Sequence, residues 1–253
     1  MALNWKTFTQ RPYIKSLPLE EQTRLFYIAN EKSIRYRSRS GTGTTSTPYA
    51  STYSLSFDGT DDRVNLDSTV DLNDLSISIW VKPGDVGPGN DGLILGLRTA
   101  NTDKIEINSA TTTSFKVNGA NTQRSGTPDI VNDQWQHLFI TRISNTLQWY
   151  LNGSTWGSSV SVNGNLEFDC IGFFNNGGKT WLGELDDIAV WNTDQTTNIS
   201  TIYNGGVPGD ISSLSPLHWW TFNEGSGTTA IDAGSEGNNG TINGATYSTD
   251  VPS

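Results

Sequence analysis

From residue 52 onward, apolar and polar residues alternate with a period of two in segment after segment: SISIWV, KIEIN, SFKVNG, HLFITRI and LQWYLNG. That period puts successive side chains on opposite faces of an extended strand, and it does not match the 3.6-residue repeat of an amphipathic helix. Between the segments, Asn-Gly occurs seven times after residue 110, at Asn118, Asn152, Asn163, Asn176, Asn204, Asn239 and Asn243. This dipeptide supplies the positive φ angles that tight hairpin turns require. Many short strands with recurring turn signals predict an all-β sandwich or jelly roll. Within this region only NTDQTTNISTIYNGG, residues 192–206, predicts a short helix or helical turn.

The chain ahead of this region is different. Pro18 suits the first turn of a helix, Glu20 and Glu21 follow at its acidic start, and LEEQTRLFYIANEKSIRYRSR ends in cations. Leu25, Phe26, Tyr27 and Ile28 are consecutive, so such a helix is apolar on most sides and needs a partner, expected to be another chain. Residues 1–39 are therefore predicted to be a basic anchoring segment with a short helix. Its contacts would be Arg11, Arg35 and Arg37 beside the four apolar residues. Residues 40–51, SGTGTTSTPYAS, form a polar linker, and 52–253 form the main domain.

Charge follows the same division. Residues 1–40 hold eight Lys/Arg and three Asp/Glu, a balance of +5, while 41–253 hold eight and 23, a balance of −15. A basic head on an acidic body predicts docking on something negative, and the acidic body argues against nucleic acid as the main domain's partner. No apolar run approaches the length of a membrane span, and MALNWKTFTQRPYIK has neither the apolar core nor the cleavage site of a signal peptide. Folding in the cytoplasm is the expectation. Cys170 is the single cysteine and reads as a small buried core residue.

The order of several motifs carries a resemblance. FDGTDDRVNL opens the domain, SISIWVKP follows, Trp135–His137 precedes an LYVNG-like hairpin at Leu151–Gly153, and GELDDIAVWN closes the series. Over about 55–247 the chain resembles a laminin-G-like domain of the concanavalin A-like jelly-roll class. LHWWTFNEGSGTTAIDAGSEGNNGTINGATYS, residues 217–248, is similar to a segment that often opens such domains, yet here it comes last. It is expected to return beside the strand at Ser54–Phe57 as closing strands.

Three chemistries follow as expectations. Some endoglucanases of the broad class carry alternating acids on one strand. Here Glu184 and Asp186 would share a face, but Ile188 and Ala189 stand where a third acid would be, so no enzymatic activity is expected. Calcium suits hard oxygen ligands: Asp58, Asp61 and Asp62 lie in a tight loop, and the jelly-roll topology would bring Asp187 and Asp232 toward such a site. Sugar binding would draw on Trp149, Trp156, Phe174, Asn175, Asn176, Trp181 or Trp219, of which half or more are expected to be core residues. No phosphate-cradling loop or zinc spacing is present.

The combined expectation is a non-enzymatic virion protein of a tailed bacteriophage, a capsid decoration, tail fibre or tail-associated protein. It would fold in the host cytoplasm and be released by lysis. Residues 1–40 would anchor it to other virion proteins as a homo-oligomer, and the jelly roll would bind host-surface glycans. The alternative is a carbohydrate-binding module or glycoside hydrolase of the same class.

Overall fold

The computed structural model describes residues 49–84, 92–174 and 179–253. The predicted anchoring helix, with Arg11, Leu25, Phe26, Tyr27, Ile28, Arg35 and Arg37, lies outside the described residues.

The described strands are β1 (Ser54–Asp58), β2 (Arg63–Leu72), β3 (Leu75–Pro83), β4 (Gly92–Gly96), β5 (Lys104–Ser109), β6 (Thr112–Val117), β7 (Ala120–Ser125), β8 (Gln136–Ile143), β9 (Thr146–Leu151), β10 (Ser154–Ser161), β11 (Leu166–Ile171), β12 (Phe173–Phe174), β13 (Lys179–Thr180), β14 (Leu182–Trp191), β15 (His218–Trp220), β16 (Thr229–Ala230), β17 (Gly240–Asn243) and β18 (Thr246–Ser248). They form two sheets. The first has the order β10-β9-β8-β3-β14-β1-β18, with β15 beside β14. The second runs β16-β17-β2-β11-β4-β5-β6-β7, with β13 beside β4. Among the described residues, a single α-helix, α1 (Ile199–Tyr203), lies in the segment where the sequence predicts one.

Period-two patterning explains the sandwich. Ile77, Ile79, Val81, Leu138, Ile140, Leu185 and Val190 of the first sheet meet Val64, Leu66, Ile105, Ile107, Phe115 and Phe168 of the second in one buried cluster. Each such side chain contributes roughly 1.5–3 kcal/mol on burial. The intervening residues face outward, and the two outer faces differ. On the first sheet, Phe139, Ala189, Trp191 and Trp219 form a second apolar cluster with Ile199, Ile202 and Ile211 from the 192–217 excursion. The outer face of the second sheet carries Arg63, Asn65, Lys104 and Glu106 instead.

The closing segment enters both sheets. β18 pairs antiparallel with β1 (Leu55 opposite Tyr247), as expected from sequence, and β17 pairs with β2 (Val64 opposite Ile242). Trp220 is fully buried, and its indole donates to the Asn238 carbonyl at 2.9 Å. Tyr49 and Ser51, assigned to the polar linker by composition, pack onto the domain: their hydroxyls donate to Asp187 and Asp186. A Ser/Thr-rich stretch looks solvated in sequence, and only the fold reveals the buried acids that its hydroxyls satisfy. No helix among the described residues is long and apolar enough to cross a membrane.

Candidate functional site

The polar outer face of the second sheet is built from the strand positions between core residues. On β5, Ile105 and Ile107 point into the core, so Lys104 and Glu106 point away. Glu106 is nevertheless 1% exposed and accepts from Lys104 Nζ at 2.7 Å, Lys179 Nζ at 3.0 Å and Asn108 Nδ2 at 3.0 Å. Burial alone would raise its pKa, but these donors outweigh it and hold the carboxyl below its usual value. The buried Lys104 amine is pulled below its usual pKa because desolvation exceeds the help from Glu106. Beside them, Asp169 accepts the Arg98 backbone N–H at 2.7 Å and its Nε at 3.0 Å, which fixes the start of the guanidinium fork.

Toward the β1–β2 loop this face opens into a cleft of about 460 Å³ lined by Asp61, Arg63, Asn65, Arg98, Thr99 and Phe173. That volume lies within the range of small-molecule sites. Arg63 Nη1 donates to the Asp61 carbonyl at 2.9 Å, and its guanidinium carbon stands 5.3 Å from the centre of the Phe173 ring. Asn65 Oδ1 lies 3.7 Å from Cys170 Sγ. Burial, with Asp169 adding to it, pushes the Cys170 thiol up to about 12, so this cysteine is a packed side chain and not a nucleophile.

The loop at the cleft's edge gathers three acids. One carboxylate oxygen from each of Asp58, Asp61 and Asp62 lies within 4.8 Å of the others. Gly59 turns the chain at φ 77°. Asp58 Oδ1 accepts the Thr60 N–H at 2.8 Å, and Asp62 Oδ2 accepts the Asp58 N–H at 2.9 Å. Desolvation, joined by repulsion from Asp58 and Asp61, raises the Asp62 carboxyl above its usual pKa. An all-oxygen anionic donor set with mutual repulsion fits a hard divalent cation such as Ca²⁺.

Of the five acids expected as ligands, Asp58, Asp61 and Asp62 come together and Asp187 and Asp232 do not join them. Asp232 Oδ1 accepts the backbone N–H groups of Trp219 and Gly234, and Oδ2 accepts from Asn238 N–H and His218 Nδ1. Burial opposes ionisation of Asp232, but these donors win and its pKa is lowered. Asp187 sits on the outer face of the first sheet. The β14 pairing with β3 slips between Asp186 and Ala189, and Asp187 takes φ 44°, so this bulge turns both adjacent acids to the same outer side. Asp187 Oδ1 accepts from the Tyr49 hydroxyl and from Trp219 Nε1 at 2.9 Å, while its buried Oδ2 has no partner among the described residues. Burial pushes Asp187 up to about 7 and raises Asp186 as well. The Asp186 carboxylate is engaged by Ser51 and by the Asp187 N–H.

Of the residues available for sugar stacking, half or more are expected in the core, and the structure buries four of the seven. Trp149, Trp156 and Trp181 are about 1% exposed core residues and Trp219 is 6% exposed, while Asn175 and Asn176 lie outside the described residues. Sequence reading passed over Phe173, Arg63 and Arg98. Arg63 was legible as the cation that closes the FDGTDDR motif, but Arg98 and Phe173 reach it only through the adjacency of β2, β11 and β4.

Residues 58–198, more than half of the chain, match the family model of the Concanavalin A-like lectin/glucanases superfamily. An inferred carbohydrate binding protein from Bacteroides ovatus superposes with a TM-score of 0.61 at 19% identity, over 82% of this chain and 62% of its own. A native heptameric SAP-like pentraxin from Limulus polyphemus superposes with a TM-score of 0.50 at 20% identity, over 60% of this chain and 82% of its own. No curated protein matches. These similarities concern the fold, and with the motif order and the two-sheet topology they establish that the chain belongs to the Concanavalin A-like lectin/glucanases superfamily.

Proposed function

We propose that the protein is a non-enzymatic carbohydrate-binding interaction protein whose sugar site is the cleft beside the Asp58–Asp62 loop. The observation that carries this is the lining itself. One aromatic ring, Phe173, stands among hydrogen-bonding groups of both polarities, Arg63, Arg98, Asn65, Thr99 and Asp61, on the polar outer face of the second sheet. A sugar offers an apolar C–H face to an aromatic ring and hydroxyls to planar polar side chains, so this mixture suits it. The inferred carbohydrate-binding protein that shares the fold supports the same reading. Asp186, which would share a strand face with Glu184 in a hydrolytic pair, is buried on the other sheet and engaged by Ser51, which favours binding over hydrolysis. Ca²⁺ at Asp58, Asp61 and Asp62 would stiffen the loop that carries Asp61 and Arg63.

The test is a glycan array probed with the full chain and with Phe173→Ala. Retention of selected glycans that falls at least tenfold in the variant is expected; unchanged retention removes the cleft as the site. Release of reducing sugar by the full chain would instead make it an enzyme.

For the whole chain the reading extends to anchor and display, a virion protein of a tailed bacteriophage docked through residues 1–40 and freed by lysis. Its support is the contrast between a +5 head and a −15 body. Imaging the native particle tests it. Residues 1–40 seated on a capsid or tail protein are expected, and particles assembled without this chain would end the virion reading.

A further inference from the structure

The cleft has a charge character that its position in an acidic body makes selective. The 41–253 region holds eight cations against 23 acids. Lys82 is held by Asp250, Lys104 and Lys179 by Glu106, and Lys116 and Arg142 by backbone carbonyls. Arg124 lies on the edge strand β7. Arg63 and Arg98 are the two that converge on one cavity. Each is held by only part of its guanidinium. Arg63 uses Nη1 on the Asp61 carbonyl, Arg98 uses Nε on Asp169, and the remaining N–H groups have no acceptor among the described residues. Phe173 beneath Arg63 and Asp169 beside Arg98 fix both forks in place before any ligand arrives, which lowers the entropy lost on binding.

We propose that the cleft selects an anionic sugar, one whose carboxylate or sulfate is received by the unfilled N–H groups of Arg63 and Arg98 while its ring lies against Phe173. This rests on the reading of the cleft as a sugar site and names the class of sugar it takes. Guanidinium pairs with planar oxyanions through two parallel hydrogen bonds, a geometry that neutral hydroxyls do not reproduce. The rest of the domain repels anions, so an acidic glycan held here is held by this local pair and not by general charge.

The full chain is titrated by calorimetry with three oligosaccharides of equal length: a neutral galactan, an oligogalacturonate and a sulfated galactan. Arg63→Gln and Arg98→Gln are compared with Lys116→Gln, which removes the same charge outside the lining, and melting temperatures confirm that each variant folds. One anionic probe should bind at least tenfold more tightly than the neutral one, and its identity assigns carboxylate or sulfate. Either cleft variant should lose at least tenfold in Kd and Lys116→Gln less than twofold. Equal binding of neutral and anionic probes that is lost in Phe173→Ala overturns the anionic assignment and leaves the sugar site standing. Equal loss in all three charge variants overturns the Arg pair. Binding of none of the probes, on a chain that also binds nothing on the array, removes the sugar site itself.

Discussion

Tyr49→Phe deletes one oxygen and tests whether the segment before β1 is part of the domain's energetics. The Tyr49 hydroxyl donates to Asp187 Oδ1, a carboxylate whose other oxygen is buried without a partner among the described residues. Losing a hydrogen bond to a charged buried group costs about 1.5–3 kcal/mol, whereas losing one to a neutral group costs about 0.5–1.5 kcal/mol. Burial pushes the Asp187 pKa up to about 7, so the larger cost applies at pH 8 and the smaller at pH 5. The sign follows from linkage. A carboxyl raised above its unfolded value contributes stability that is complete below that value and is lost as pH rises through about 7. Removing the Tyr49 donor raises the pKa further, because that bond favours the charged form, and so deepens the loss at high pH. Urea denaturation of the full chain at both pH values reads the two costs, and a cycle with Asp187→Asn isolates the pair. We expect about 2–3 kcal/mol at pH 8, about 1 kcal/mol at pH 5 and a coupling of at least about 1 kcal/mol at pH 8. A cost below about 0.5 kcal/mol at both pH values, or no coupling to Asp187, would refute the reasoning.

Other consequences are as direct. Calcium should raise the melting temperature and a chelator reverse the rise, with Asp61→Asn and Asp62→Asn abolishing the effect; a chain indifferent to both treatments has no site at the Asp58–Asp62 loop. Deleting 217–253 removes β15 to β18 and bares the edges of β1 and β2, so aggregation is expected in light scattering, and a monodisperse truncated domain would contradict the pairing. Gly183→Ala sets a Cβ 2.2 Å from the Lys82 carbonyl oxygen at φ 117°, and a loss of about 3 kcal/mol or more is expected in the same urea assay. A loss under about 1 kcal/mol would show that the β3–β14 pairing can shift there.

Much of the architecture was legible because it is written locally. The SISIWV and HLFITRI alternations specify which side chains face the core, since a strand has only two faces. Asn-Gly at Asn118 and Asn152 specifies sharp reversals, and both asparagines adopt φ 49° in the fold. The 217–248 segment was readable as closing strands because its motif belongs at one position in a jelly roll, whichever end of the chain supplies it. The tryptophans show the limit of such reading. Trp149, Trp156 and Trp181 have the composition of sugar platforms, yet they fill the interior, because an aromatic at an alternating position faces inward or outward according to register with neighbours far along the chain.

The sequence by itself determined the two-sheet β class, the turn positions, the acidic triplet Asp58, Asp61 and Asp62 within one five-residue loop, and the charge contrast between head and body. Each depends on residues close together in the chain, where steric and electrostatic preferences act without help from the fold. Tertiary structure alone decided that Asp187 would be buried against Tyr49 and Trp219, that Asp232 would be consumed by backbone donors, and that Arg63, Arg98 and Phe173 would share a cleft. The Asp187 contacts and the cleft join residues dozens to more than a hundred positions apart, whereas the donors to Asp232 lie within 14 positions of it. These outcomes follow from which strands lie side by side and from a one-residue bulge in β14, and no local pattern in the chain encodes either.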